Sequence, residues 1–358
     1  MTFYQELQLN QAGSKNYISS FKEPKEKLKH IAIYLFKIII NVAFSSLFIM
    51  LFSILFGIGN SIVGLAVLLS IMAFRFSDLG IRMSHSIFCM FMIFGILAVG
   101  PKISNSVPVG WSFCVNIVCI MLLMLFGSHN VVMFNHSTFV LSYLLIQGYD
   151  VSGHTYKMRL LGLFFGAVLT SVILYHKHRK IKYKRSLKSI FQEFNLSSTR
   201  TRWQIRMTLV VSSALLIANI LGVPKAYWMG IAAMSVTFPF KNEIVERVKF
   251  RAIGNILGCV LFVAVYFILP ESLHGFIGII GGIGTGLSVS YGWQTAFNSM
   301  SAISIAISVL GIKYAILFRI FNNIFSAVYT LLFYHIFEPA VKFVNNCFGK
   351  LMIEANSE

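Results

Sequence analysis

The sequence predicts an all-α integral membrane protein with about 12 transmembrane helices, arranged as two parallel six-helix repeats. Three observations carry this reading. Of 358 residues, 57% are hydrophobic and only 12% charged, with a mean hydropathy of +0.76, against roughly a quarter charged in an ordinary soluble domain. The apolar residues fall into blocks close to the ~20 residues that cross a ~30 Å hydrocarbon core. The positive charges collect at every second joint between those blocks. The composition argues against a soluble enzyme, since no long segment between Phe36 and Phe337 is polar enough to coat one.

Residues 1–33 are polar and lysine-rich, without the short apolar run and small-residue cleavage site of a signal peptide. They read as a cytoplasmic segment, and the first span acts as its own insertion signal. The first repeat, 34–175, holds spans at 34–56, 58–74, 85–99, 109–126, 131–147 and 158–175. Residues 176–204 form a basic linker in which Leu187, Ile190, Phe191 and Phe194 recur at helical spacing. That pattern predicts an amphipathic helix lying on anionic lipid headgroups. The second repeat, 205–338, holds spans at 205–221, 226–240, 252–269, 276–289, 295–310 and 315–337, followed by a tail at 339–358.

The net charge of +18 would suggest nucleic acid in a soluble protein. Here the charge sits between apolar blocks, where it sets orientation, and no nucleic acid is expected. With Met1 inside, the inner joints carry 23 Lys and Arg, while the outer ones carry six: Lys102, Lys157, Arg159, Lys225, Lys313 and Arg319. This positive-inside asymmetry places both termini in the cytoplasm. The five cysteines form no CxxC pair and four lie in apolar stretches, so neither a disulfide framework, a metal site nor a cofactor is indicated.

The halves echo one another. Residues 41–50 parallel 208–217, residues 158–175 parallel 318–335, and an Arg opens the third span of each half, Arg82 and Arg251. Six helices per half is an even number, so both copies face the same way. Duplicated halves around a central path suit a transporter or channel. One chain could form a complete unit, and a homo-oligomer is equally allowed.

An ionisable group in hydrocarbon costs at least ~2.5–3.5 kcal/mol and marks a pathway by default. No Asp or Glu lies well inside a span, whereas several basic residues reach the apolar edges, which favours an anionic substrate. A guanidinium holds both oxygens of a carboxylate. Arg82, Arg251, Arg159 and Arg319 recur in the repeat and are the candidate substrate-binding residues. Lys37, Arg206 and Lys313 read as side chains that snorkel to headgroups. His136 is the intramembrane titratable candidate; Gln294 and Asn298, with Thr295, Asn130, Asn135 and Ser137, offer neutral contacts. Gly254 and Gly258, like Gly162 and Gly166, have the spacing of close helix packing. The run Gly278, Gly281, Gly282, Gly284, Gly286 predicts a broken helix whose freed backbone lines a cavity. Tyr227 and Trp228 fit an interfacial aromatic belt. HExxH, GxSxG, GxGxxG and Walker A motifs are all absent from the sequence.

In the second half, an Arg-led helix over 202–221 precedes the Tyr227-Trp228 pair, a charged loop, and Arg251-x-x-Gly254-x-x-x-Gly258. This stretch resembles the fusaric acid resistance and aromatic acid exporter family of bacterial inner-membrane proteins, to which the plant aluminium-activated malate transporters are distantly similar. The resemblance is best over 202–270. It implies the bacterial cytoplasmic membrane and efflux of aromatic or other organic carboxylates driven by the proton gradient. Larger relatives carry a soluble domain between their membrane halves, where this chain has only its short linker. A passive anion channel and a non-transport membrane scaffold are the alternatives.

Overall fold

The computed structural model describes residues 1–128, 131–133 and 135–355. The chain is all-helical, 84% helix, with no strand among the described residues. Its helices are α1 (Phe3–Gln8), α2 (Gln11–Ser19), α3 (Pro24–Phe56), α4 (Ser61–Phe74), α5 (Met83–Ser106), α6 (Val109–Gly127) and α7 (His136–Gly148). Then come α8 (Gly153–His178), α9 (Leu187–Gln192), α10 (Thr199–Ile220), α11 (Tyr227–Val236), α12 (Lys241–Ile268), α13 (Ile277–Leu287) and α14 (Tyr291–Ala355). Among the described residues seven helices, α3, α5, α6, α8, α10, α12 and α14, are long and apolar enough to cross a membrane. The expected spans at 295–310 and 315–337 both lie on α14, which breaks at Gly311 with φ 71° and ψ 163°. Only glycine adopts that conformation without strain.

Contacts divide the chain into two compact units, 1–48 with 246–324 and 49–245 with 325–358. In the larger unit α5 packs on α6 and α8, α10 on α6 and α11, and α7 on its neighbours α4, α5, α6 and α11. Side chains fill notches left by glycine: Val67 and Phe94 beside Gly166, Phe139 beside Gly127, and the Tyr227 ring beside Gly148. Tyr227 and Trp228 are accordingly buried. Their rings pack into the bundle and do not face outward as an exposed aromatic belt would.

Joints expected on one side of the membrane meet joints expected on the same side. On the inner side Tyr183 donates to Asp78 Oδ2 at 2.7 Å, Asn135 to Asp78 O at 3.2 Å, and Gln204 to Met124 O at 3.1 Å. On the outer side Lys102 pairs with Asp150 at 3.0 Å, Asn105 donates to Gln147 O at 2.8 Å, and Tyr227 to the Tyr149 hydroxyl at 3.1 Å.

The linker corrects a second expectation. Its helix, α9, has six residues, with Ile190 buried and Phe191 and Phe194 exposed. The remainder docks on the 75–82 joint: Arg82 N donates to Arg185 O at 2.9 Å, and Tyr183 holds Asp78. Side chains bonded to a neighbouring loop replace the longer helix that the spacing predicts. Burial and the Asp78 carboxylate push the Tyr183 phenol up to about 12.

In the smaller unit α1 and α2 fold against the start of α3, where Ile18, Tyr34 and Ile38 pack with Ile283 and Leu287. Lys37 donates to Leu9 O at 3.0 Å and Ser14 Oγ at 2.5 Å. It is therefore held by the N-terminal helices and does not snorkel. Glu6 is buried and hydrogen-bonded to His30 at 2.9 Å. The glycine run forms the continuous helix α13 without a positive φ, which corrects the broken-helix reading. Its glycines serve packing: a Cβ at Gly281 or Gly284 would overlap Ser301 or Phe297, one at Gly286 would press on Ile38, and Gly282 faces open space.

Candidate functional site: a buried arginine network

On α12, Arg251, Gly254, Asn255 and Gly258 recur at intervals of three and four, which puts them on one helix face. A Cβ at Gly254 or Gly258 would overlap the backbone oxygen of Gly292 or Ala296. Both glycines are thus needed for the close approach of α12 to α14, and that approach carries Arg251 and Asn255 into the polar face of α14. Arg251, 3% exposed, donates through Nε to Asn323 Oδ1 and through Nη1 to the Tyr291 hydroxyl, each at 3.1 Å. Its Nη2 is buried without a hydrogen-bond partner.

Arg319, also 3% exposed, donates to Ser299 Oγ at 3.4 Å. Asn255 Nδ2 reaches the same Ser299 Oγ at 2.7 Å, and Asn323 Nδ2 donates to Arg319 O at 2.8 Å. The two arginines belong to one polar network with Asn255, Tyr291, Ser299 and Asn323. The acceptors of Arg251 are all neutral, and Arg247 lies over the Tyr291 ring at 4.5 Å, adding further positive charge. Just beyond, α12 and α14 border an apolar cavity of about 360 Å³ lined by Ile256, Cys259, Val260, Val263, Ile316 and Ile320.

The other sequence candidates divide differently. Arg82 is exposed at the N-cap of α5, outside the helix, whereas Arg251 lies well inside α12. The positional match between these two is therefore corrected, and Arg82 stands outside the network. Arg159 is buried in the larger unit and its donors are spent: Nε on Asn60 Oδ1 at 3.0 Å, Nη2 on Tyr149 O at 2.8 Å and Gly59 O at 3.2 Å, and Nη1 on Ile146 O at 3.5 Å. These carbonyls sit at the C-terminus of α7 and in the joint before α4, where a cation is favoured. Arg159 thus ties the end of α7 to the joint before α4. His136 begins α7, buried and edge-on to Trp203 at 4.8 Å. Gln294 donates to Ser288 O at 3.1 Å, closing the joint before α14. Asn298 is exposed. Of the neutral candidates, Thr295 is buried beside Gly254, and Asn130 lies outside the described residues.

Arg206 is 1% exposed and ion-paired to Glu338 at 2.5 Å, with further bonds to Phe238 O and Pro239 O. The snorkelling reading of Arg206 is corrected. Glu338, which follows the last apolar span, is carried back to this pair because α14 continues past it as helix. Sequence reasoning also passed over Asn255 and Asn323. The legible signal was an Asn four residues after an Arg in two spans, Arg251 with Asn255 and Arg319 with Asn323.

Residues 213–333 match the family described as fusaric acid resistance protein-like. This stretch is similar to that family. The matched residues contain the whole network of Arg251, Asn255, Tyr291, Ser299, Arg319 and Asn323, and exclude Arg82, Arg159 and His136. Over 134 residues the chain is 27% identical to the uncharacterized protein YhfK of Escherichia coli (strain K12). That match covers 37% of this chain and 19% of YhfK, so the chain spans about a fifth of the relative's length. No solved structure matches the chain.

Proposed function

We propose that the chain is a secondary transporter of organic carboxylates, exporting aromatic or similar acids across the cytoplasmic membrane at the expense of the proton gradient. The observation that carries this reading is Arg251. A guanidinium in an apolar helix, hydrogen-bonded only to neutral oxygens and with Nη2 unpartnered, is costly unless an anion completes it. The match of the surrounding stretch to the fusaric acid resistance protein-like family supports the same class. In this reading 34–175 and 205–338 are parallel six-helix repeats with both termini cytoplasmic. The side-by-side pairing of like joints in the larger unit supports that topology. Exposed Phe191 and Phe194 among the linker lysines would rest on anionic headgroups.

The test is uptake of labelled aromatic and small aliphatic carboxylates into inverted vesicles, with and without a proton gradient. Gradient-dependent uptake of at least one acid is expected. A charged hydrogen bond is worth about 1.5–3 kcal/mol, so Arg251→Ala should lose roughly 10- to 100-fold in transport, with Arg251→Lys in between. Uptake indifferent to the gradient would refute the coupling. Absence of flux for every anion, from a protein that inserts normally, would refute the class.

A further inference from the structure

At the inner end of α10, in the larger unit, lies a cavity of about 190 Å³ lined by Thr199, Arg202, Arg206, Lys241, Tyr334 and Glu338 among others. Three cations surround one carboxylate. Arg202 Nη1 and Arg206 Nη1 each take a different oxygen of Glu338, at 3.5 and 2.5 Å. Arg206 Nη2 is spent on Phe238 O and Pro239 O, and the Nε atoms of both arginines are buried without a hydrogen-bond partner. Arg206 also lies over the Tyr334 ring at 4.7 Å. A matched Arg–carboxylate pair uses two parallel N–H···O bonds. Here two guanidiniums share one acid through a single N–H···O contact each, and Lys241 lines the same cavity.

We propose that this pocket is a binding site for a small organic carboxylate at the inner face, and that the chain's own Glu338 occupies it as a tethered competitor. The ligand class is argued from the occupant: the protein already places a carboxylate there. An entering carboxylate exchanges with Glu338, takes Arg202 in the fork geometry and Arg206 through Nη1 alone, and lies against Tyr334. Glu338 sits on the last leg of α14, so exchange removes one of the ties between that leg and α10, the Tyr329–Ser213 hydrogen bond at 2.7 Å remaining. This rests on the transport reading only for its role; binding itself is independent of flux.

The experiment is equilibrium binding of benzoate to the purified full-length protein in neutral detergent, by calorimetry and by the shift in melting temperature. A tethered competitor lowers apparent affinity by the fraction of time the site is free. Glu338→Gln, which keeps the shape and removes the charge, should bind benzoate at least tenfold more tightly than the unmodified protein. Adding Arg202→Gln to that variant should abolish the gain; Arg202 is half-buried, so this change is milder than one at Arg206. Inorganic phosphate forms the second arm and should gain less than benzoate. Equal benzoate affinity with and without Glu338→Gln, or a gain that survives Arg202→Gln, would overturn the proposal. An equal gain for phosphate would overturn the carboxylate assignment. Should Glu338→Gln melt too early for calorimetry, benzoate must still raise its melting temperature more than that of the unmodified protein. Loss of flux in Arg251→Ala alongside unchanged benzoate binding in Glu338→Gln would remove this inference alone.

Discussion

Arg159→Ala separates a structural arginine from a transport arginine. The substitution leaves three close acceptors unpaired: Asn60 Oδ1, Tyr149 O and Gly59 O, at 3.0, 2.8 and 3.2 Å from the lost guanidinium. At about 1–3 kcal/mol for each buried group left unsatisfied, the simple sum is roughly 3–9 kcal/mol. Water reaching the outer joint would satisfy part of this, so the lower end, about 3–5 kcal/mol, is expected. Arg159→Lys should recover less than half, because an ammonium cannot span the same fork of acceptors. The assay is denaturant or thermal unfolding in detergent, run beside carboxylate flux per folded molecule. Arg159→Ala should lose stability and keep its specific flux, whereas Arg251→Ala should lose flux and keep most of its stability. An Arg159→Ala protein within about 1 kcal/mol of the unmodified one but dead in transport would refute the assignment and return Arg159 to the substrate path.

Gly258→Val should lower the melting temperature strongly and abolish flux, since the new Cβ overlaps the Ala296 carbonyl oxygen and backbone cannot yield. Gly282→Ala, facing open space on α13, should be neutral or stabilising by up to ~1 kcal/mol, the helix-propensity difference; a loss comparable to that of Gly258→Val would contradict the packing account. The Tyr183 phenol, pushed up from 10.0 to about 12, favours its protonated form in the folded state. Its contribution to linker docking is therefore complete below pH 10 and is lost as pH rises towards 12. Absorbance at the tyrosinate band, compared between the unmodified protein and Tyr183→Phe, should show one phenol titrating late; titration with the exposed tyrosines would contradict the Asp78 bond. Reporter fusions at either terminus should be active only in the form that works in the cytoplasm, and an outward C-terminus would overturn the 12-span topology.

Composition and hydropathy were enough to specify a helical membrane protein and its apolar segments. Those properties depend on transfer of each segment from water to lipid, an energy that is local and additive along the chain. The resemblance over 202–270 likewise rests on local patterns, and the match over 213–333 includes the Tyr227-Trp228 pair and Arg251-x-x-Gly254-x-x-x-Gly258 but begins after Arg202. Which arginine is functional is not a local property. Arg159 and Arg319 look alike in the sequence, yet one is surrounded by backbone carbonyls and the other by side chains of α12 and α14. Arg206 read as a surface cation until α14 brought Glu338 alongside it. The glycine run read as a break because glycine weakens helices, whereas tertiary packing against Phe297 and Ser301 holds α13 straight. The cost of burying a charge depends on its partners, and only the folded chain decides which partners meet.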